Sequence, residues 1–133
     1  MKANYKEFTI TTSDCTNKPS SWNERNTNSY TVTVKSRETG KKTSFDFWCS
    51  IASPDFEKEY DVLNALYCFV SDAISGLYSF DEFCGEFGCD NDSRRAERIY
   101  KACKRAYNKF QRVSGYNDDQ MYEFINELAE IAA

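Results

Sequence analysis

Residues 30–51, YTVTVKSRETGKKTSFDFWCSI, decide how this chain reads. Tyr30, Val32 and Val34 alternate with Thr31, Thr33 and Lys35, so an extended segment would be apolar on one side and polar on the other. Ser44 to Ile51 repeats the pattern: Phe45, Phe47, Cys49 and Ile51 fall together, opposite Ser44, Asp46, Trp48 and Ser50. A period of two among β-branched and aromatic residues marks half-buried strands. Between the runs lies Arg37-Glu38-Thr39-Gly40-Lys41-Lys42, a short polar turn with Gly40 available for positive φ. A parallel pair needs a long crossover, so this turn specifies an antiparallel hairpin.

Upstream, Tyr5 to Thr12 gives a third alternating run, with Phe8 and Ile10 on one face. Ser13 to Ser29, SDCTNKPSSWNERNTNS, is polar and holds Pro19, and reads as a long exposed loop with Trp22 alone in it. Trp22 either folds back onto the sheet or serves as a contact anchor.

Downstream of Pro54 the period becomes helical. Val62, Leu63, Leu66, Phe69, Val70, Ala73, Ile74 and Leu77 follow the spacing of a long helix with a wide apolar stripe. Ser79-Phe80-Asp81-Glu82 is a capping-box pattern opening a short helix that Gly88 ends. Asp92 or Ser93 caps a third helix, with Ala96, Ile99, Tyr100, Cys103, Ala106, Tyr107, Phe110 and Val113 inward. Asn117, with Gln120 three residues on, starts a fourth. It buries Met121, Phe124, Ile125, Leu128 and Ala132 and exposes Asp119, Glu123, Glu127 and Glu130. Strands first and helices second specify an α+β fold: a three-stranded antiparallel sheet packed against about four helices. The expectation is one domain over 1–133, β-rich over 1–53 with its exposed loop at 13–29, and helical over 54–133.

Charge is sharply polarised. Residues 93–112, SRRAERIYKACKRAYNKFQR, carry eight Lys/Arg against Glu97 alone, in a chain of net charge −4. Arg94, Arg98, Lys101, Arg105 and Arg112 form a stripe opposite the apolar face of the third helix. Such a stripe is a solvated face balanced by acidic neighbours, a phosphate-binding footprint, or a dock for an acidic protein surface. Residues 46–92 hold eleven acids and one base, Lys58. Asp55, Glu57, Glu59 and Asp61 suit the start of the long helix electrostatically. Together with Asp81, Glu82 and Glu86 they make the alternative reading, an acidic face imitating nucleic-acid phosphates.

Several chemistries are disfavoured. The chain has no histidine, which removes the commonest general base and transition-metal ligand and any Ser-His-Asp or Cys-His site within it. The six cysteines lack paired C-x-x-C knuckles. No apolar run approaches the roughly 20 residues needed to span a bilayer. MKANYKEFTITT lacks a signal-peptide core, so reduced thiols in a cytoplasmic setting are the expectation. Cys68 and Cys103 then read as small core residues. Leu77 to Phe87 superficially resembles the exit of a calcium loop, with Gly76 and Glu82 in register. Ser71 and Ala73 then occupy ligand positions that need oxygen donors, normally carboxylates. No Gly-rich phosphate cradle is present. No cofactor and no metal are expected, and the chain reads as a non-enzymatic binder.

The stretch DAISGLYSFDEFCGEFGCDNDSRRAERIYKACKRAYNKFQR, residues 72–112, resembles a segment of small phage-encoded proteins of uncharacterised function. The matching elements are Ser79 to Gly88, Asp90 to Glu97 with Arg95 in a Lys position, and Ile99 to Cys103. Cys89 departs from the pattern, which has an aromatic there. The resemblance implies a source among phages or mobile elements and names no activity. Small acidic accessory proteins of that source are often inhibitors of host defence, so the expectation is a binder of a host protein or ribonucleoprotein, such as an anti-CRISPR-type inhibitor of a defence nuclease. A nucleic-acid-binding accessory protein using residues 93–112 is the alternative. The contact residues expected from the charge pattern are Arg94, Arg98, Lys101, Arg105 and Arg112, with Trp22 as an anchor.

Overall fold

The computed structural model describes residues 1–13, 16–17, 28–48, 56, 58–88 and 90–132. Trp22, Asp55, Glu57, Cys15, Cys49 and Cys89, and most of the expected loop at 13–29, lie outside them.

The hairpin forms as its sequence specifies. β4 (Asn28–Ser36) pairs antiparallel with β5 (Lys42–Trp48), from Ser29 opposite Trp48 to Lys35 opposite Lys42. Gly40 takes φ 77° in the turn, a conformation that costs glycine nothing. Val32 and Val34 are fully buried and Phe45 nearly so, while Lys35 and Ser44 face solvent.

The sheet exceeds the expected three strands. The run from Tyr5 to Thr12 is broken at Lys6-Glu7 into β1 (Lys2–Tyr5) and β2 (Phe8–Thr12), which pair antiparallel with Tyr5 opposite Phe8. Lys6 adopts φ 51° to make the turn. The signal was the spacing: Tyr5 to Phe8 is an odd step that breaks the period of two. β2 pairs with the edge of β4 away from β5, Ile10 lying opposite Val34. A two-residue β3 (Thr16–Asn17) continues that edge by pairing with Asn28 and Ser29, so this part of the expected loop is strand. The described sheet is thus four strands wide, β1-β2-β4-β5, with β3 prolonging the line of β2.

All four helices form. α1 (Glu59–Ile74) ends earlier than its apolar pattern, giving way to a 3₁₀ turn at Ser75–Leu77. The Ser75 hydroxyl donates back to the Ser71 carbonyl at 3.3 Å as the chain turns. Leu77, expected in the core, is 36% exposed beyond that turn. α2 (Phe80–Phe87) starts on the expected capping box: Ser79 Oγ accepts from the Glu82 amide at 3.2 Å, and Glu82 accepts from the Ser79 amide at 3.4 Å. α3 (Arg94–Ser114) is capped by Ser93, whose Oγ accepts from the Ala96 amide at 3.2 Å. α4 (Asp118–Ala132) has the reciprocal pair of Asn117 and Gln120, at 2.8 and 2.9 Å.

The helices cover one face of the sheet. α1 is central and packs against both α3 and α4; α3 leans on β4 and β5, while α4 reaches Tyr5 and Phe8 at the other side. Phe110 of α3 ties the layers together. Its ring centroid lies 5.6 Å from both Phe8 and Phe124 and 6.0 Å from Phe69. A smaller cluster of Phe83, Cys84, Ala96 and Cys103 fastens α2 to the first half of α3.

Candidate functional site

The basic face of α3 follows from its own amphipathicity. Ala96, Ala102, Cys103, Ala106, Tyr107, Phe110 and Val113 are buried against α1, α2 and the sheet. At 3.6 residues per turn, Arg94, Arg98, Lys101, Arg105 and Arg112 come round on the opposite side, and all five are exposed. They form a column about 27 Å long, taking 1.5 Å per residue from 94 to 112. Lys101 pairs with Glu97 one turn back at 3.0 Å; both side chains are more than half exposed, so the pair contributes only a few tenths of a kcal/mol, about 0.3–0.5. Arg94 and Arg95 occupy the first turn of α3, where the helix dipole disfavours cations. Helix stability alone therefore does not account for them.

The column does not stop at the end of the helix. Lys109 and Arg112 line a groove of about 590 Å³ together with Lys41, Lys42, Thr43 and Ser44 of the hairpin. Lys42 also borders the open face of the sheet, where Lys2, Lys35 and Arg37 surround Thr9, Thr11 and Thr33. The basic surface thus runs along α3, across the β5 edge and onto the uncovered face. In the sequence Lys41 and Lys42 read as turn residues and Lys109 falls outside the stripe of the third helix. A Lys-Lys step in a chain of pI near 4.9 was the available signal.

The acidic helix does not neutralise this face. α3 and α4 flank α1, meeting near their connection through Phe110 and Phe124 and through the Tyr107 hydroxyl, which donates to Asp118. Glu127 of the α4 acidic stripe pairs with Lys6 of the β1–β2 turn, on the far side from β5. Among the described residues, the α4 acidic stripe and the α3 column thus lie on opposite flanks of α1.

The other acids have local employment or stand apart. Asp61 accepts from the Lys58 amide at 3.0 Å as part of the α1 cap, beside exposed Glu59. Glu82 is the reciprocal cap of α2, and Asp81 accepts from the Asn91 side chain at 2.8 Å. Glu86 is exposed near the end of α2. Glu59 and Asp61 begin α1, whereas Asp81, Glu82 and Glu86 follow its end. An α1 of 16 residues, roughly 24 Å long, separates the two groups. The described members of the acidic set therefore do not gather into one patch.

Among the described residues no cluster of His, Cys, Asp or Glu could hold a metal ion, and no helix is long and apolar enough to cross a membrane. Cys103 and Cys84 are buried, and burial pushes the Cys103 thiol far up, which makes it a core residue and a poor nucleophile. Cys68, expected in the core, is only half-buried. No family model, curated protein or solved structure matches the chain.

Proposed function

We propose that this is a non-enzymatic interaction protein of a phage or mobile element, whose α3 face docks an acidic surface on a host protein or ribonucleoprotein, as an inhibitor of a defence nuclease would. The observation that carries the reading is the exposed column of Arg94, Arg98, Lys101, Arg105 and Arg112, prolonged by Lys109, Lys41 and Lys42 and facing away from the acidic α4. Arg predominates in the column, and its planar fork gives bidentate, oriented contacts with carboxylates. A rigid helix presents these cations without ordering a loop on binding, which lowers the entropic cost of association.

A second reading has its own support. The groove of Lys41, Lys42, Thr43, Ser44, Lys109 and Arg112 combines cations and hydroxyls, which suits a phosphate backbone. One experiment separates the two. The protein and its Arg98→Glu/Arg105→Glu variant are used to capture partners from host lysate, with and without nuclease. A stoichiometric protein that survives nuclease and is lost with the variant supports docking on a protein. Capture that vanishes with nuclease, and an affinity for DNA or RNA that falls steeply with salt, moves the function to nucleic acid. Undiminished capture by the variant removes α3 from both.

A further inference from the structure

A cavity of about 410 Å³ lies between the second half of α1, the end of α2 and α4, away from the hairpin groove. Its volume is in the range of small-ligand sites, about 300–1,000 Å³. The walls carry Tyr67, Tyr78, Phe87 and Tyr122, with Asp72 and Glu86 as the ionisable acids; among the described lining residues there is no Lys or Arg. Phe87 and Tyr122 are 46% and 41% exposed, large rings left open to solvent. Phe87 is held by stacking on Phe83 at 4.6 Å. The Tyr78 carbonyl accepts from the Tyr100 hydroxyl, so the wall is anchored to α3.

Asp72 has no hydrogen bond or ion pair among the described residues, although it is partly buried and that burial raises its carboxyl above the ordinary carboxylate range. The groups within its electrostatic reach are Cys68 on α1, Tyr30 on β4 and Cys103 on α3, none of them a cation. Glu86 on α2 adds a second acid to the same cavity. A desolvated carboxylate without a hydrogen-bond partner costs stability, and its position on the wall of a cavity marks a candidate binding site. Aromatic faces and carboxylates favour the same ligand class, because ring quadrupoles and anions both attract positive charge.

We propose that this cavity binds an organic cation, an ammonium or guanidinium on an alkyl stem, with Tyr67, Tyr78, Phe87 and Tyr122 packing the stem and head group and Asp72 and Glu86 as its counter-ions. The cation is either a free small molecule or an Arg or Lys side chain of a partner protein, and both sources present the same chemistry.

The test is a titration followed by the ring resonances of the lining tyrosines in NMR spectra. The probes are agmatine, the tripeptide Gly-Arg-Gly, and pentan-1-ol as an uncharged stem. Agmatine or the tripeptide is expected to give saturable shifts of Tyr67, Tyr78 and Tyr122. Asp72→Asn and Glu86→Gln should each weaken binding about tenfold. Tighter binding of agmatine identifies a free cation as the source, and tighter binding of the tripeptide a protein side chain. The Arg98→Glu/Arg105→Glu variant should bind agmatine unchanged, since the cavity is separate from the α3 column. Three results overturn the proposal: no saturable shift with either cation, pentan-1-ol binding as well as agmatine, or unaltered affinity in both carboxylate variants.

Discussion

Gly76 lies so close to the backbone of Lys104 that a Cβ placed on it would stand 2.7 Å from the Lys104 nitrogen, and 2.9 Å from Lys104 Cα and the Cys103 carbonyl carbon. The glycine is needed for this close approach, since its φ is not in the left-handed region. It lets the turn after α1 press directly on the middle of α3, and so sets where the basic helix sits.

Gly76→Ala should therefore destabilise the protein by about 1–3 kcal/mol, because the new methyl meets backbone that cannot rotate aside. Urea unfolding followed by far-UV circular dichroism measures it. A variant as stable as the wild type would show that the turn and α3 separate at little cost.

Lys41 and Lys42 extend the α3 column by position, so Lys41→Glu/Lys42→Glu should weaken partner capture less than reversal of Arg98 and Arg105 does. Both are exposed, and stability should change by no more than about 0.5 kcal/mol. Titration of each variant against the captured partner gives the ranking. Equal or greater loss from the hairpin pair would move the centre of the interface to the groove.

The elements were legible wherever a local rule is strict. The β4–β5 hairpin, the Ser79-Glu82 and Asn117-Gln120 boxes and the Gly88 helix end all follow from side chains within a few residues of one another. The turn at Lys6-Glu7 shows in the sequence only as the odd step from Tyr5 to Phe8, because its positive φ falls on lysine rather than glycine or asparagine. The early end of α1 was hidden because Leu77 continues the apolar pattern beyond the last helical residue. The α3 column needed only the helical period. Its continuation through Lys41, Lys42 and Lys109, like the cavity around Asp72, depends on which elements pack together, and that information lies in the tertiary arrangement.

Burial raises the Asp72 carboxyl from 3.8 to about 6. The folded form therefore holds a proton that the unfolded chain releases between those values, and this contribution to stability declines as pH rises through the window. Asp72→Asn removes the penalty of the buried charge. The variant should be more stable than the wild type by about 1–3 kcal/mol at pH 7.5, with the gain vanishing below about pH 4. Thermal melts of both proteins at the two pH values decide it. A loss of stability at pH 7.5 would mean that the carboxylate has a stabilising partner in solution.

Phe110 joins the sheet, α1 and α4 through Phe8, Phe69 and Phe124, two residues before Arg112. It is fully buried, so Phe110→Ala should cost about 3–5 kcal/mol, a large share of the roughly 5–15 kcal/mol available to a domain of this kind. Phe110→Leu keeps most of the volume and should cost less than half as much. The pair distinguishes packing from docking. If α3 serves as a rigid platform, the leucine variant should melt earlier yet capture its partner at wild-type affinity at 15 °C, because the exposed column is untouched. Parallel losses of capture and stability in the leucine variant, at a temperature where it remains folded, would show that binding reads the fine position of α3 as well as its charge.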